Sequence, residues 1–458
     1  MSSDSKRTID FWSATSIVVA NMVGTGVFTS LGYQLFSIQN GFTLLMLWVF
    51  GGLIALTGAF CYAELANRMP KDGGEFYFLS ELFHPSIGFM AGFVSTTVGF
   101  TAPVAGAALA LGAYLEGILG FSGDGSLWGK WMGAFVIIGI TFIHIKSVKW
   151  GLFFQRISTL AKVIIILTFV VFGFIFRDSS QILTCGNEVV SFLPSLESWN
   201  EIWSDTWFMP AFSIGLVWVS FAYSGWNATA YIAGSVKDPH KNLTRSIVLG
   251  TLVVMVLYLL LNYVFMFSTD WGNLVGKKEV GLVAAQALFG NAIGSLMGGI
   301  ISILLVSTIS SMIFTGPRVL KSMFERMNVG RILAVENNQG SPQNAIIFQG
   351  AMSLIMLFTM DFESLIYYVA FTLSLFTLLT VFGMIKMRFT HGKPSTYRAF
   401  GYPFTPIIFI VMTGTVAWFF MNDKTTESLM GLGTALFGLL MWKFSKSSTS
   451  PKTLKTKE

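Results

Sequence analysis

The sequence predicts an all-α integral membrane protein with twelve transmembrane helices, and three observations lead to this prediction. Of the 458 residues, 53% are hydrophobic and only 11% are charged, whereas soluble globular proteins carry about 25% charged residues. Apolar stretches of about twenty residues, the length that crosses a bilayer, recur along the whole chain. The first and sixth stretches are interrupted by glycine, which predicts two broken helices.

Windows of about twenty apolar residues predict spans at residues 12–36, 42–66, 85–116, 128–145, 152–176, 207–233, 244–267, 290–317, 344–360, 363–387, 402–420 and 428–443. Spans 1 to 5 and 6 to 10 form a predicted five-plus-five inverted repeat, because each half opens with a broken helix. Since each half has an odd number of spans, the second half enters the membrane from the opposite face. The predicted parts are a cytoplasmic tail (1–11), the first repeat (12–176), an extracellular loop (177–206), the second repeat (207–388), helices 11 and 12 (402–443) and a second cytoplasmic tail (444–458).

The net charge of +6 indicates membrane topology and not a nucleic acid partner. The fifth span contains Lys162, and nearly all other lysines and arginines fall in loops and tails on the side of the termini. The opposite side holds Lys130, Arg177, Lys277, Lys278 and Lys424. By the positive-inside rule, both termini are cytoplasmic. We therefore expect a multi-pass protein of the plasma (inner) membrane, in contact with the lipid bilayer.

The first predicted break is Val23-Gly24-Thr25-Gly26-Val27. Glycine costs about 1 kcal/mol in a helix interior, and unwound backbone in lipid is tolerated where it lines a cavity. The N–H groups of Val23, Gly24, Thr25 and Gly26 would then lie at the start of a half-helix and favour a carboxylate. The alternative is that the two glycines only permit close helix packing.

The second predicted break is Ser224-Gly225-Trp226. The carbonyl groups of Phe221, Ala222 and Tyr223 would end a half-helix before this break and accept hydrogen bonds from an ammonium. A site for an anion opposite a site for a cation suits a zwitterion. The predicted binding residues are therefore the four of the first break together with Phe221, Ala222, Tyr223, Ser224, Gly225 and Trp226.

Lys162 is the single basic residue placed deep in a predicted span. An ionisable group at that depth is costly and marks a functional site by default. A snorkelling lysine is the alternative, but Lys162 lies roughly 15 Å from the loop at Trp150 at 1.5 Å rise per residue. We therefore predict a functional role for this side chain.

Several segments together resemble the amino acid–polyamine–organocation (APC) superfamily of permeases, most closely the L-type amino acid transporter branch and its bacterial relatives. They are Ile17–Phe28 (IVVANMVGTGVF), Tyr62–Leu79 (YAELANRMPKDGGEFYFL), Ile145–Lys162 (IKSVKWGLFFQRISTLAK), Phe221–Asn227 (FAYSGWN), Lys237–Arg245 (KDPHKNLTR) and Thr315–Val319 (TGPRV). The resemblance implies the five-plus-five (LeuT-like) fold and a small-molecule amino acid substrate.

The resemblance also implies roles for individual residues. A lysine at the position of Lys162 takes the place of a sodium ion between the first and eighth spans. Its ammonium would contact carbonyls of the first break and hydroxyls of the eighth span, for which the candidates are Ser307, Thr308, Ser310 and Ser311. Transport would then be independent of sodium. Eukaryotic L-type members bind a heavy subunit through a cysteine between spans 3 and 4. The loop from Phe121 to Leu127 has none, so we expect no disulfide-linked partner.

The expected function is transport of L-amino acids, by exchange or proton-linked uptake, with no cofactor or metal. Neutral substrates are favoured because no carboxylate falls in the middle of the substrate-lining spans. Carriers of cationic amino acids or polyamines, and a sensor that binds without transport, remain alternatives. A membrane enzyme would need clustered His, Cys or carboxylates, and the four histidines lie mostly at loops. Glu64, Arg68 and Glu75 are candidates for an inner gate with Lys237 or Arg245, and the alternative is that they belong to a solvated loop.

Overall fold

A computed structural model describes residues 7, 9–120, 127–146, 148–177, 183–185, 188–204, 207–208, 210–325, 330–338, 340–392 and 397–446. Most of the two predicted cytoplasmic tails lies outside the described residues. The same holds for residues 121–126, where the expectation about a heavy subunit falls. In the described part of the chain the structure is almost entirely helical.

The first half contains nine α-helices, two of which are separated by the first break. They are α1 (Phe11–Met22), α2 (Gly26–Gln34), α3 (Gly41–Arg68), α4 (Glu75–Leu82), α5 (Pro85–Val94), α6 (Thr101–Leu119), α7 (Leu127–Lys146), α8 (Val148–Ile175) and α9 (Leu196–Ile202). A π-helical turn, Ser95–Gly99, joins α5 to α6. Two short antiparallel ladders lie on either side of α9, and they pair Thr184–Cys185 with Glu188–Val189 and Trp203–Ser204 with Trp207–Phe208.

The second half contains seven α-helices. They are α10 (Pro210–Tyr223), α11 (Pro239–Ser268), α12 (Val280–Phe324), α13 (Gln343–Thr359), α14 (Phe362–His391), α15 (Phe404–Asp423) and α16 (Thr425–Lys446). Short 3₁₀ helices occupy Ala228–Ser235, Trp271–Asn273 and Arg331–Ala334. Within α12, Gly290 has a non-helical backbone that divides a short first part from the long remainder.

Nine helical segments of the described chain are long and apolar enough to cross a membrane. Helix α13 is shorter, with 17 residues, and α10 has only 14. The predicted number of twelve spans therefore stays a prediction. Large apolar side chains are exposed on these helices, among them Trp131, Phe135, Leu160, Ile164 and Trp418. Such surfaces suit contact with lipid, so the chain is a multi-pass membrane protein.

Both ends of the described chain lie at the same end of the helix bundle. Near the N-terminus, the Ile9 N–H donates a hydrogen bond to Ser235 O at 3.1 Å. The Ser235 hydroxyl in turn lies 3.4 Å from Oδ2 of Asp72, in the connection between α3 and α5. In that same connection His84 contacts the ring of Trp442, near the C-terminus, with 5.4 Å between ring centroids.

Candidate functional site

The first helix break leaves backbone donors at the start of α2. Helix α1 ends at Met22 and α2 begins at Gly26. The Phe28 N–H donates to Thr25 O at 3.0 Å, so the amides of Thr25, Gly26 and Val27 precede the first hydrogen bond of α2. Free amides and the positive end of a helix dipole favour an anionic group.

The second break requires a glycine. Helix α10 ends at Tyr223, and Gly225 has φ +94°, a conformation that L side chains rarely adopt. A Cβ atom on Gly225 would also lie 2.9 Å from the backbone carbon of Asn21. Beyond the break the chain continues as the 3₁₀ helix Ala228–Ser235, and the predicted span therefore does not resume as an α-helix.

The two breaks are in direct contact. The hydroxyl oxygen of Tyr258 lies 2.6 Å from Met22 O and 3.1 Å from Ala222 O, so one side chain of α11 holds both helix ends. A Cβ on Gly26 would lie 2.5 Å from the Cα of Ala222, whereas one on Gly24 would meet nothing closer than 3.5 Å. The close-packing explanation therefore applies to Gly26 and not to Gly24.

A cavity of about 160 Å³ lies at the meeting point of the breaks, with room on the order of ten water molecules. Its wall includes these predicted residues: Gly24, Thr25, Gly26, Phe221, Ala222, Tyr223, Ser224, Gly225 and Trp226. Val23 is not among the lining residues. Its N–H donates to Val19 O at 2.9 Å and its carbonyl accepts from Lys162, so the expectation for Val23 is corrected. Trp226 also packs edge-on against Tyr62, with 4.7 Å between ring centroids.

Lys162 joins α8 to the first break and to α12. Its side chain is 2% exposed. The Nζ atom donates to Val23 O at 2.7 Å and to Thr308 Oγ1 at 3.1 Å, and lies 3.4 Å from Ala20 O. The Thr308 hydroxyl donates its own proton to Leu304 O at 3.1 Å, which leaves its oxygen to accept from Lys162. Oxygen ligands around a buried cation compensate for lost hydration.

The three serines proposed beside Lys162 are buried on α12, but the hydroxyl within hydrogen-bond distance of its Nζ is that of Thr308. Ser310 instead contacts His144 of α7, with 2.8 Å between Oγ and Nε2. Residues two positions apart on a helix point about 200° apart. Thr308 and Ser310 therefore cannot both contact Lys162, and the expectation for Ser310 is corrected.

One carboxylate of the cavity wall is predicted from the sequence only as a gate residue. Glu75, the first residue of α4, is 2% exposed and lines the cavity. Its Oε1 accepts hydrogen bonds from the Tyr62 hydroxyl at 2.7 Å and from Asn227 Nδ2 at 3.0 Å. The sequence places Glu75 in a connection between spans, where a charged residue is ordinarily solvated. The Gly73-Gly74 pair directly before Glu75 is the sequence feature that indicates an inward turn of the chain.

Glu64 takes part in an ion cluster that differs from the predicted inner gate. It is 0% exposed and accepts a bidentate pair of hydrogen bonds from Arg388 of α14, with 2.8 Å between Oε1 and Nε. The Ala399 N–H donates to Oε2 at 2.7 Å, and Arg68 Nη2 lies 3.6 Å from Oε1. The partners of Glu64 thus lie on α3, on α14 and on the segment before α15, and the suggested pairing with Lys237 or Arg245 is wrong for Glu64.

At the end away from the termini, stacked rings connect α2, α10 and α14. Tyr33 of α2 and Trp218 of α10 are parallel within 13°, with 4.3 Å between ring centroids. Phe362 at the start of α14 adds a third ring, 6.2 Å from Trp218. The cavity reaches in the other direction as far as Glu75, Ser95 and Tyr231.

Comparison with known proteins agrees with this architecture. The profile of the family described as amino acid permease matches residues 9–440. The serine/threonine exchanger SteT of Bacillus subtilis is 27% identical over 410 residues, covering 88% of this chain and 89% of that protein. The mouse large neutral amino acids transporter small subunit 2 is 26% identical over 446 residues, covering 95% and 80%.

The mouse b(0,+)-type amino acid transporter 1 is 27% identical over 417 residues, covering 89% of this chain and 81% of that protein. These relatives are transporters, and the matches extend over nearly the whole helical bundle. Together with the two contacting helix breaks, they identify the chain as a member of the amino acid permease family of the APC superfamily, with relatives in the L-type branch.

Proposed function

We propose that this permease is a secondary transporter that moves neutral L-amino acids across the plasma membrane by alternating access. The observation that carries the proposal is the meeting of two helix ends at one cavity. Amides at the start of α2 suit the α-carboxylate, and carbonyls at the end of α10 suit the α-ammonium. Apolar residues of the wall, such as Ile54, Ala55 and Val369, suit an uncharged side chain.

The transport mode that fits best is sodium-independent exchange, with proton-linked uptake as the second possibility. The Lys162 ammonium already occupies a set of oxygen atoms between the first break and α12, where a sodium ion would otherwise bind. With both termini in the cytoplasm, the rings of Tyr33 and Trp218 close the outer side. In this proposal the outer side is the closed side of the transporter.

The substrate is a small molecule, and we propose that no cofactor, metal or disulfide-linked heavy subunit is needed. The loop between the third and fourth spans has no cysteine with which to form such a link. A sensor that binds amino acids without moving them would use the same cavity. Only a transport measurement separates a sensor from a carrier.

The test is uptake of labelled leucine into proteoliposomes loaded with unlabelled amino acid, with sodium or choline as the external cation. A panel of common amino acids and polyamines then competes for uptake. We expect competition by neutral amino acids and equal rates in both cations. Strict sodium dependence would contradict the role of Lys162. Absence of competition by any amino acid would contradict the assignment of the cavity.

A further inference from the structure

The cavity has one charged side chain in its wall, and the proposed transport of neutral substrates does not use it. Glu75 lies between the candidate spans Gly41–Arg68 and Pro85–Leu119, yet it is as buried as Lys162. The Gly73 N–H donates to Tyr231 O at 3.0 Å, which holds the connection against the 3₁₀ helix that follows the second break. The carboxylate is thereby built into the wall.

The hydrogen bonds of Glu75 satisfy only one of its two oxygens. Tyr62 and Asn227 both donate to Oε1. No residue of the described chain donates to Oε2. An ionised carboxylate has about four lone-pair sites, and in a buried position they are ordinarily filled. Oε2 is therefore a free acceptor on a side chain that lines the cavity.

No positive charge of the described chain compensates Glu75. Arg68 and Arg388 are engaged by Glu64. On its own connection, Lys71 is exposed and its Nζ lies over the ring of Tyr77, 5.2 Å from the centroid. A buried carboxylate without a partner is strongly unfavourable. Glu75 lies outside the membrane-spanning segments, and burial raises its pKa to about 7, against the opposing effect of hydrogen bonds from Tyr62 and Asn227.

The surroundings of Glu75 suit an organic cation. Trp226, Tyr231 and Phe100 line the same cavity, and their rings offer the negative faces that attract ammonium and guanidinium groups. The titratable groups that face Glu75 are Tyr62 of α3 and Tyr231 of the 3₁₀ helix, and both are neutral at physiological pH. A cation from the cavity would thus meet one carboxylate oxygen and aromatic rings, with no competing base.

We propose that Glu75 determines substrate specificity by accepting the positively charged side-chain end of a basic amino acid, so that lysine or arginine is transported as well as neutral substrates. The inference rests on the proposed function, because the α-carboxylate and α-ammonium remain at the two helix breaks. Glu75 and Asn227 border the same cavity as those breaks. The cation replaces the charge partner that the protein itself does not supply.

The experiment compares labelled lysine and labelled leucine in proteoliposomes at pH 8, where the carboxylate is ionised. The variants are Glu75→Gln, Glu75→Asp and, as matched control, Asp72→Asn. Asp72 lies on the same connection, but its carboxylate accepts from Gly234 N–H at 2.8 Å and it is not part of the cavity wall. A thermal unfolding scan of each variant accompanies the transport assay.

We expect Glu75→Gln to lower kcat/KM for lysine about tenfold or more, the range for one hydrogen bond to a charged group, and to change leucine less than about twofold. Glu75→Asp keeps the charge and should retain part of the lysine transport even if Glu75→Gln fails to fold. Asp72→Asn should leave the lysine-to-leucine ratio unchanged.

Three results would overturn the proposal. The first is a wild-type protein that transports leucine but neither lysine nor arginine, which leaves the proposed function intact. The second is an equal loss of both substrates in Glu75→Gln, which indicates a structural role. The third is unchanged lysine transport together with loss of the effect of a pH gradient on leucine uptake, which makes Glu75 a proton site. Failure of leucine transport in the wild type would refute the proposed function itself.

Discussion

The Nζ atom of Lys162 lies 2.7 Å from the carbonyl oxygen of Val23, which ties a charge in the fifth predicted span directly to the first helix break. The same atom bonds to Thr308 of α12. One side chain therefore connects three helices around the unwound backbone. We therefore expect the position of the break, and with it the geometry of the cavity, to depend on this ammonium.

Replacing Lys162 by methionine should lower the exchange rate at least about tenfold. The substitution keeps an unbranched side chain but leaves the oxygens of Val23 and Thr308 without their donor, and hydrogen bonds to charged groups contribute about 1.5–3 kcal/mol each. Leucine exchange in proteoliposomes measures the effect. Lys424→Met is the control, because that lysine is part of a partly exposed pair with Glu363. Wild-type exchange in Lys162→Met would contradict a role for the ammonium.

The glycines of the first break should differ in their tolerance of alanine. A methyl group on Gly26 would lie 2.5 Å from the Cα of Ala222 and force the two breaks apart, and such overpacking costs about 1–3 kcal/mol. A methyl group on Gly24 meets only Thr308 Cγ2 at 3.5 Å but takes space from the cavity. We expect Gly26→Ala to lower the unfolding midpoint, and Gly24→Ala to raise KM without that loss. Equal midpoints for the two variants would contradict the packing argument.

Tyr258→Phe should slow transport while the protein stays folded. The ring would keep its edge-on contact with Trp48, 5.7 Å between centroids, but the hydroxyl beside Met22 O and Ala222 O would be lost. A lost buried hydrogen bond costs about 0.5–1.5 kcal/mol, so we expect a change of about threefold to tenfold in leucine exchange. Tyr263→Phe is the control, because its hydroxyl, also on α11, lies 3.4 Å from Arg177 Nη1 and is not part of the cavity wall. An unchanged rate would show that the hydroxyl does not hold the breaks.

The sequence predicts features that depend on neighbouring residues, such as helix breaks. It does not predict which side chains of different helices come into contact. The interruptions Gly24-Thr25-Gly26 and Ser224-Gly225-Trp226 predict the two breaks, whereas the pair Gly51-Gly52 lies inside the continuous helix α3. The depth of Lys162 followed from counting residues. The choice of Thr308 over Ser310 depends on helix rotation, which a shift of two residues changes by about 200°.

For a related reason, the sequence predicts Glu75 as a gate residue and not as part of the cavity wall. The argument for neutral substrates considered carboxylates within spans, and Glu75 belongs to a connection that turns back into the bundle. Its burial depends on Tyr62 and on Asn227, which is distant in sequence. The sequence likewise does not predict the partner of Glu64, because Arg388 lies 324 positions away in the chain.

The buried ion pair of Glu64 and Arg388 should matter more for stability than an exposed pair. Arg388→Met would leave the Glu64 carboxylate buried with only part of its partners, and breaking such a pair costs about 3–5 kcal/mol. Lys321→Met removes two partly exposed pairs, with Glu325 and Glu336, each worth at most about 1 kcal/mol. Thermal unfolding in detergent compares the two. A smaller shift for Arg388→Met than for Lys321→Met would contradict the assignment.

Because the pKa of Glu75 is raised, the proposed uptake of lysine should depend on pH. Below a pKa of about 7 the carboxyl group is protonated and neutral, and it no longer attracts a cation. Substrate lysine stays charged throughout, since its side-chain pKa is about 10.4. About nine-tenths of Glu75 is ionised at pH 8 and about one-tenth at pH 6.

Lysine uptake, measured with equal pH on both sides of the vesicle, should therefore fall about five- to tenfold from pH 8 to pH 6. Leucine uptake should change less than about twofold over that range, because the uncharged leucine side chain makes no ionic interaction with the carboxylate. In Glu75→Gln the remaining lysine uptake should be independent of pH. Lysine uptake that rises as the pH falls would contradict the proposal. Protonation of Glu75 would then increase the binding of substrate lysine, which the proposal expects to decrease.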